Sequence, residues 1–224
     1  MVPRLVFQTT AASLVLALLL FGPAGTLGWR GGWDFLGLFW ILGVGVGLWL
    51  ARTDPALLEQ RMASPVRKDQ KPWDRIFISV IGLAFLEWLA AMGWEVGRYG
   101  MRTPLWVQAA GAGLIVLCYL GVAMVFRENS FAIPVVALQA DRGQTVVSTG
   151  PYALVRHPMY AAGLLFFVGA PLVLGSWWGL ASVPVALLLF AARALGEERM
   201  LEAELPGYAD YALRVRARLL PWIW

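Results

Sequence analysis

An all-α, polytopic membrane bundle of about six transmembrane helices is the fold this sequence predicts, and three observations predict it. Of 224 residues, 59% are hydrophobic and 14% charged, where soluble domains carry about 25% charged residues. Mean hydropathy is +0.67. The apolar residues also fall into separate runs near the length of about 20 residues that a bilayer crossing needs.

Those runs lie at about 5–22, 33–51, 76–95, 104–126, 159–175 and 177–196. The first admits two descriptions, a cleaved signal peptide or a span. Its single basic residue, Arg4, and the lack of a clear small-residue cleavage site favour the span. In the second, Gly43-Val44-Gly45-Val46-Gly47 superficially resembles a nucleotide loop, but no strand precedes it. Close approach of two helices is the expected role. The third contains Glu87, a functional candidate as any intramembrane carboxylate is; a helix-contact role is the favoured expectation. The fourth contains the only cysteine, Cys118, which excludes an internal disulfide and is expected to pack. The fifth and sixth are joined by Gly175-Ser176-Trp177-Trp178-Gly179. That predicts a tight helical hairpin with tryptophans at the interface.

Charge orders these spans. Arg4; Arg52, Arg61, Arg67, Lys68, Lys71 and Arg75; Arg127, Arg142 and Arg156; and Arg193, Arg199, Arg214, Arg216 and Arg218 fall on one side. Arg30, Arg98 and Arg102 fall on the other. By the positive-inside rule both ends and the two long loops face the cytoplasm. The pI near 9.6 therefore reflects topology and does not call for a nucleic-acid partner. Two regions are expected: 1–126, a four-helix membrane region, and 127–224, a loop, the hairpin 159–196 and a tail.

The loop 52–75, with Pro55, Pro65 and Pro72, is expected to be a surface connector. The loop 127–158 carries β-branched residues on either side of Asp141-Arg142-Gly143. It predicts two short extended segments in a small ordered structure on the membrane.

Chemistry-bearing residues concentrate after that loop. Gly150-Pro151 makes a turn, and Pro158 suits the first turn of the fifth helix. Free backbone donors there, with Arg156, His157, Tyr152 and Tyr160 close by, make a candidate anion site. An interfacial lipid anchor is the alternative. A metal site is not expected, because His157 is the only histidine and no cysteine pair exists. Arg193 and Glu197 share a face at the far end of the sixth helix. They form either an i,i+4 ion pair or, through the hairpin, one cluster with Arg156, His157 and Tyr160. In the tail, Leu201, Leu205, Tyr208 and Tyr211 keep helical spacing. They predict a short amphipathic helix that folds under the bundle as a lid or lies in the interface as an anchor.

The stretch Gly150-x-Tyr152-x-x-x-Arg156-His157-Pro158-x-Tyr160, then Arg193-x-x-x-Glu197-Glu198, then Gly207-Tyr208-x-x-Tyr211 and Leu220-Pro221 resembles the isoprenylcysteine carboxyl methyltransferase family. That family shares its signature with phospholipid N-methyltransferases. The resemblance covers about 135–222. It implies an integral membrane methyltransferase that uses S-adenosylmethionine at the cytoplasmic face. It places Gln139, Gln144, Thr145, Val146, Val147, Tyr152, His157, Pro158, Tyr160, Glu197 and Glu198 at cofactor positions. Arg193, with Glu197 and Arg156, falls at the catalytic and substrate position. The methyl acceptor it implies is lipid-like or a small carboxylate or thiol, drawn from or beside membrane lipids. Phospholipid N-methylation, thiol S-methylation, an NADPH-dependent membrane reductase and a non-enzymatic scaffold are the alternatives.

Overall fold

The computed structural model describes residues 1–64, 70–100, 103–221 and 223–224. Arg67, Lys68, Arg102 and Pro65 of the expected loops lie outside the described residues.

The helices are α1 (Val2–Ala24), α2 (Arg30–Thr53), α3 (Pro55–Arg61), α4 (Pro72–Tyr99), α5 (Leu105–Glu128), α6 (Pro158–Leu174), α7 (Trp177–Ala181), α8 (Val183–Glu204) and α9 (Tyr208–Arg214). Five apolar segments are long enough to cross a membrane: α1, α2, α4, α5, and α7–α8 taken together. The sixth, α6, has 17 residues, about 26 Å of helix, and is flanked by α5 and α8. The chain is thus a multi-pass helical bundle. Exposed Phe7, Leu18, Leu83 and Leu188 face outward, as a lipid-facing surface requires.

In lipid the hydrophobic effect does not draw helices together, so backbone approach and packing must. A β-carbon on Gly111 of α5 would sit 2.7 Å from the Gly169 carbonyl of α6, and one on Gly169 would sit 2.7 Å from the Gly111 carbonyl. This pair brings α5 and α6 into the closest packing of the bundle. Gly93 and Gly97 of α4 meet the carbonyls of Leu20 and Ala24 in α1. The expected glycine cluster of α2 contributes less: Gly47 packs on Leu5, but Gly45 faces open space. The backbone close approach of α2 is at Gly31, where a β-carbon would sit 2.5 Å from the Val173 carbonyl of α6; sequence alone does not show which face a neighbour takes.

The loop after α2 departs from expectation. Asp54 accepts from Leu57 N at 2.9 Å and Pro55 opens α3, a capped helix start. Leu57 and Leu58 are buried against Leu5, Leu50 and Val125, so this connector is part of the core. No strand forms in 127–158 among the described residues. Two 3-10 turns form there, Ala140–Arg142 and Gly150–Ala153; the first reverses the loop, and Gln144 N donates to Gln139 O at 3.2 Å. Val136 bonds to the start of α4, its N–H donating to the Asp74 side chain and its carbonyl accepting from Lys71 N at 3.0 Å, so it is not paired with the other half of the loop.

The hairpin is more elaborate than a plain turn. Ser176 Oγ and the Trp177 and Trp178 amides donate to Glu95 of α4. A buried carboxylate thus caps α7. Trp88 Nε1 of α4 donates to Ser182 Oγ at 2.7 Å. The C-terminal half of α8 extends to Glu204, eight residues past the expected end, and carries its last two turns below the bundle.

Glu87 is exposed on the outward face of α4. The expected contact with another helix of the same chain is not made.

Candidate active site

The tight hairpin returns the end of α8 beside the start of α6, and the two expected clusters meet there. Tyr160 Oη donates to Glu197 Oε2 at 2.6 Å. His157 Nδ1 lies 3.8 Å from the same oxygen, too far for a hydrogen bond. The rings of His157, Tyr160 and Phe190 stack in series at 5.3 and 5.4 Å, each pair within 2° of parallel.

Arg193 does not pair with Glu197 along the helix. Its Nε donates to Asp74 Oδ1 at 3.0 Å and its Nη2 to Pro134 O at 2.7 Å, with the guanidinium 5.6 Å from the Tyr160 ring. Asp74 opens α4 and is completely buried. Its other oxygen accepts from Gln70 Nε2 and from Val136 N, both at 2.8 Å. One carboxylate therefore joins α4, α8 and the 131–138 loop. Sequence reasoning missed it: an acid just before a span looks like an ordinary helix-start residue.

Beneath this cluster lies a cavity of about 120 Å³. Arg156, His157, Pro158, Tyr160, Arg193 and Glu197 line it, with Gln144, Thr145, Val146, Val147 and Tyr152. So do Tyr208 and Tyr211 of α9 and Asn129. The tail helix is a lid: Tyr208 and Tyr211 pack on Val136, Met200, Leu201 and Leu205, and Tyr211 Oη donates to Tyr152 O at 2.8 Å. Asn129 Nδ2 in turn donates to Tyr152 Oη at 2.8 Å. Tyr208 Oη is buried and has no hydrogen-bond partner among the described residues, an unsatisfied donor inside a polar cavity. Burial, followed by Glu198 and Glu197, pushes the Tyr208 phenol well above the usual tyrosine range. Burial pushes Tyr211 up to about 12, with Arg156 opposing.

Two expected cofactor residues do not line the cavity. Gln139 is buried, and its side chain donates to Phe131 O at 2.8 Å and meets Arg142; it builds the loop. Glu198 is buried about a 100° step round α8 from Glu197, at the other nitrogen of the His157 ring. Arg156 Nε at 3.0 Å, His157 Nε2 at 3.1 Å and Arg218 Nε at 2.9 Å surround it. The Arg156 contact is an ion pair by distance only, because its Nε–H does not point at the carboxylate. Residues 197 and 198 are neighbours in sequence, but a 100° step of helix sends one to the cavity and the other to the tail.

The anion site expected at the start of α6 is largely closed. Arg156 N donates to Ala217 O and His157 N to Arg218 O, both at 2.9 Å, while Tyr160 N and Ala161 N bond His157 O. Pro158 has no N–H. Met159 N alone is left unpartnered among the described first-turn donors. The tail, distant in sequence, supplies the carbonyls that take the others.

On the far side of Arg193, an apolar groove of about 360 Å³ opens between α4 and α8. Phe77, Ile81, Phe85, Phe167, Leu189 and Phe190 line it, and Arg193 closes its inner end. The Trp88–Ser182 bond bounds it at the other end. Arg193 thus lines both spaces.

Residues 106–205 match the phospholipid methyltransferase family. This is the superfamily that the motifs resemble. The matched segment starts with α5, a span earlier than the motifs reached, and stops before α9. Two curated proteins are similar to the chain. The cobalt-zinc-cadmium resistance protein CzcN of Cupriavidus metallidurans is 30% identical over 105 residues, 46% of this chain and 48% of that one. The nickel-cobalt-cadmium resistance protein NccN of Alcaligenes xylosoxydans xylosoxydans is 28% identical over 113 residues, 50% of this chain and 51% of that one. The match thus spans about half the length of these relatives. Among the described residues, no three His, Cys, Asp or Glu side chains converge as metal ligands.

Proposed function

We propose that this protein is a membrane methyltransferase that binds S-adenosylmethionine in the cavity under α6 and α8 and methylates an acceptor with an apolar tail. The observation that carries the proposal is Arg193, which lines both a polar cavity and an apolar groove. A polar, charged methyl donor and a lipophilic acceptor need two such spaces that meet at one point.

The residues present fit the cofactor. Tyr208 Oη is a buried donor that lacks a partner. The backbones of Thr145, Val146 and Val147 make no hydrogen bond among the described residues; they form an open peptide edge suited to a planar heterocycle. Glu197, anchored by Tyr160, suits an ammonium group. Bound there, S-adenosylmethionine supplies an electrophilic methyl group. The chain's own part is to orient and to exclude water, which for an in-line transfer is a large share of the rate. Arg193, held by Asp74 and Pro134 O, keeps Nη1 free to steer an acceptor carboxylate. A carboxylate or thiolate acceptor needs no base. Arg156 and His157, fixed through Glu198, brace the cavity floor.

Small-molecule sites usually enclose about 300–1,000 Å³, against about 120 Å³ here. Binding therefore moves α9 outward, with Tyr211–Tyr152 as its latch. The basic-residue distribution supports a site at the cytoplasmic face. The relatives' names connect those proteins with metal resistance. For this chain we favour membrane methylation, because the described residues offer no metal-ligand cluster.

The test is calorimetry on purified protein. S-adenosylmethionine binds saturably, and Arg193→Ala and Glu197→Ala abolish methylation of co-purified lipid identified by mass spectrometry. Binding of NADPH instead identifies a reductase. Binding of neither identifies a scaffold.

A further inference from the structure

Glu87 is the ionisable group that neither the bundle nor the site uses. It lies 12 residues from Arg75 and 11 from Arg98, the basic residues that bracket the apolar part of α4. At the α-helical rise these are about 18 Å and about 16 Å. The carboxylate is therefore near the middle of the span, and a glutamate side chain does not cover that distance to either interface. It is exposed and makes no hydrogen bond or ion pair among the described residues. Intramembrane carboxylates almost always face a bundle interior or a partner. This one faces outward, away from α1, away from the groove and away from the cavity.

Its neighbours on that face are regularly spaced. Ile76, Val80, Leu83, Glu87, Ala90 and Trp94 alternate steps of four and three residues. All but the half-buried Ala90 are exposed, and Trp94 closes the row by stacking on Trp178 of α7. This is the seam of a left-handed helix pair. Lipid alone would satisfy the apolar members, but it leaves Glu87 unpaired. Ala84, Ala90 and Ala91 flank the carboxylate, so a second helix can come close enough to reach it.

We propose that α4 is the homodimer interface of this protein, with Glu87 paired to its counterpart at the two-fold axis. Copies of one chain insert with one orientation, so the axis of a closed dimer runs along the membrane normal and the two α4 helices are parallel. In a parallel two-fold seam each residue near the axis faces itself. A glutamic acid is self-complementary: one side chain donates and the other accepts, with one proton between them. No cation from another protein is needed. A single polar residue in an otherwise apolar seam also fixes register, since any slip leaves both carboxyls against hydrocarbon.

Single cysteines introduced by Val80→Cys and Leu83→Cys test the seam, with Leu188→Cys on the exposed side of α8 as the off-seam control. Native Cys118 is buried, so the unsubstituted protein is the blank. Oxidation in native membranes gives cross-linked dimers at positions 80 and 83 and none at 188. Adding Glu87→Leu lowers the cross-linked fraction about tenfold, while Glu87→Gln, whose amide also pairs with itself, retains it. Single-molecule photobleaching shows two copies per particle. If Glu87→Leu lowers expression, the cross-linking of the Val80→Cys and Leu83→Cys proteins and the photobleaching count still decide. No seam cross-link, a cross-link indifferent to Glu87→Leu, or a cross-link to a protein of different mass overturns the proposal.

Discussion

Asp74 Oδ1 accepts from Arg193 Nε at 3.0 Å across 119 residues of chain. The pair ties the start of α4 to α8, and through Val136 N it also pins the loop that walls the cavity. Removing one partner leaves a buried charge uncompensated. Asp74→Ala is expected to destabilise the protein by about 3–5 kcal/mol, read as a fall in the thermal unfolding midpoint in detergent. Asp74→Leu combined with Arg193→Leu recovers much of that loss while methylation stays absent. Equal losses in the single and double variants would show that the pair is not the structural tie.

Neighbouring carboxylates give opposite signatures. Glu198 side-chain exposure is 4% and it holds Arg156, His157 and Arg218. Glu198→Gln is expected to lower stability by about 3 kcal/mol. Glu197 is 27% exposed and faces the cavity. Glu197→Gln leaves the unfolding midpoint within about 0.5 kcal/mol of the parent but weakens S-adenosylmethionine binding. Calorimetry together with thermal unfolding separates the two.

Tyr208 Oη bonds nothing in the protein, so Tyr208→Phe removes no internal hydrogen bond. Stability is expected to hold or rise slightly. If the phenol donates to the cofactor, affinity falls about tenfold. Unchanged affinity would remove Tyr208 from the binding set.

Tyr211 latches the lid and carries a pH signature. Its folded pKa of about 12 exceeds the ordinary tyrosine value of about 10. The fold binds this proton more tightly than the unfolded chain does. Its contribution is therefore complete below about pH 10 and is lost as pH rises toward 12. Tyr211→Phe is expected to flatten that alkaline loss and, by cutting the bond to Tyr152 O, to speed amide hydrogen exchange in α9. A slope identical to that of the parent would place the alkaline loss elsewhere.

Sequence determined the class of the molecule. Apolar runs of bilayer length, separated by charge, leave a helical bundle as the only economical arrangement, because unpaired backbone is too costly in lipid. The short link Gly175–Gly179 also foretold that Arg156–Tyr160 and Arg193–Glu197 would meet, since a hairpin must return. Tertiary structure decided the rest. Asp74 and Asn129 join the site from segments whose approach no local pattern encodes, whereas the spacing of the tail already points to Tyr208 as part of a lid. Gln139 and Glu198 leave it, the one into its own loop and the other to the ion pairs behind His157 and Arg156. Backbone carbonyls of the tail close the start of α6, and carbonyls carry no sequence signal. Periodicity reports which residues share a face. Which neighbour that face meets depends on packing between distant segments, and the Arg193 partner was settled there, on Asp74 in α4 and not on Glu197 one turn away.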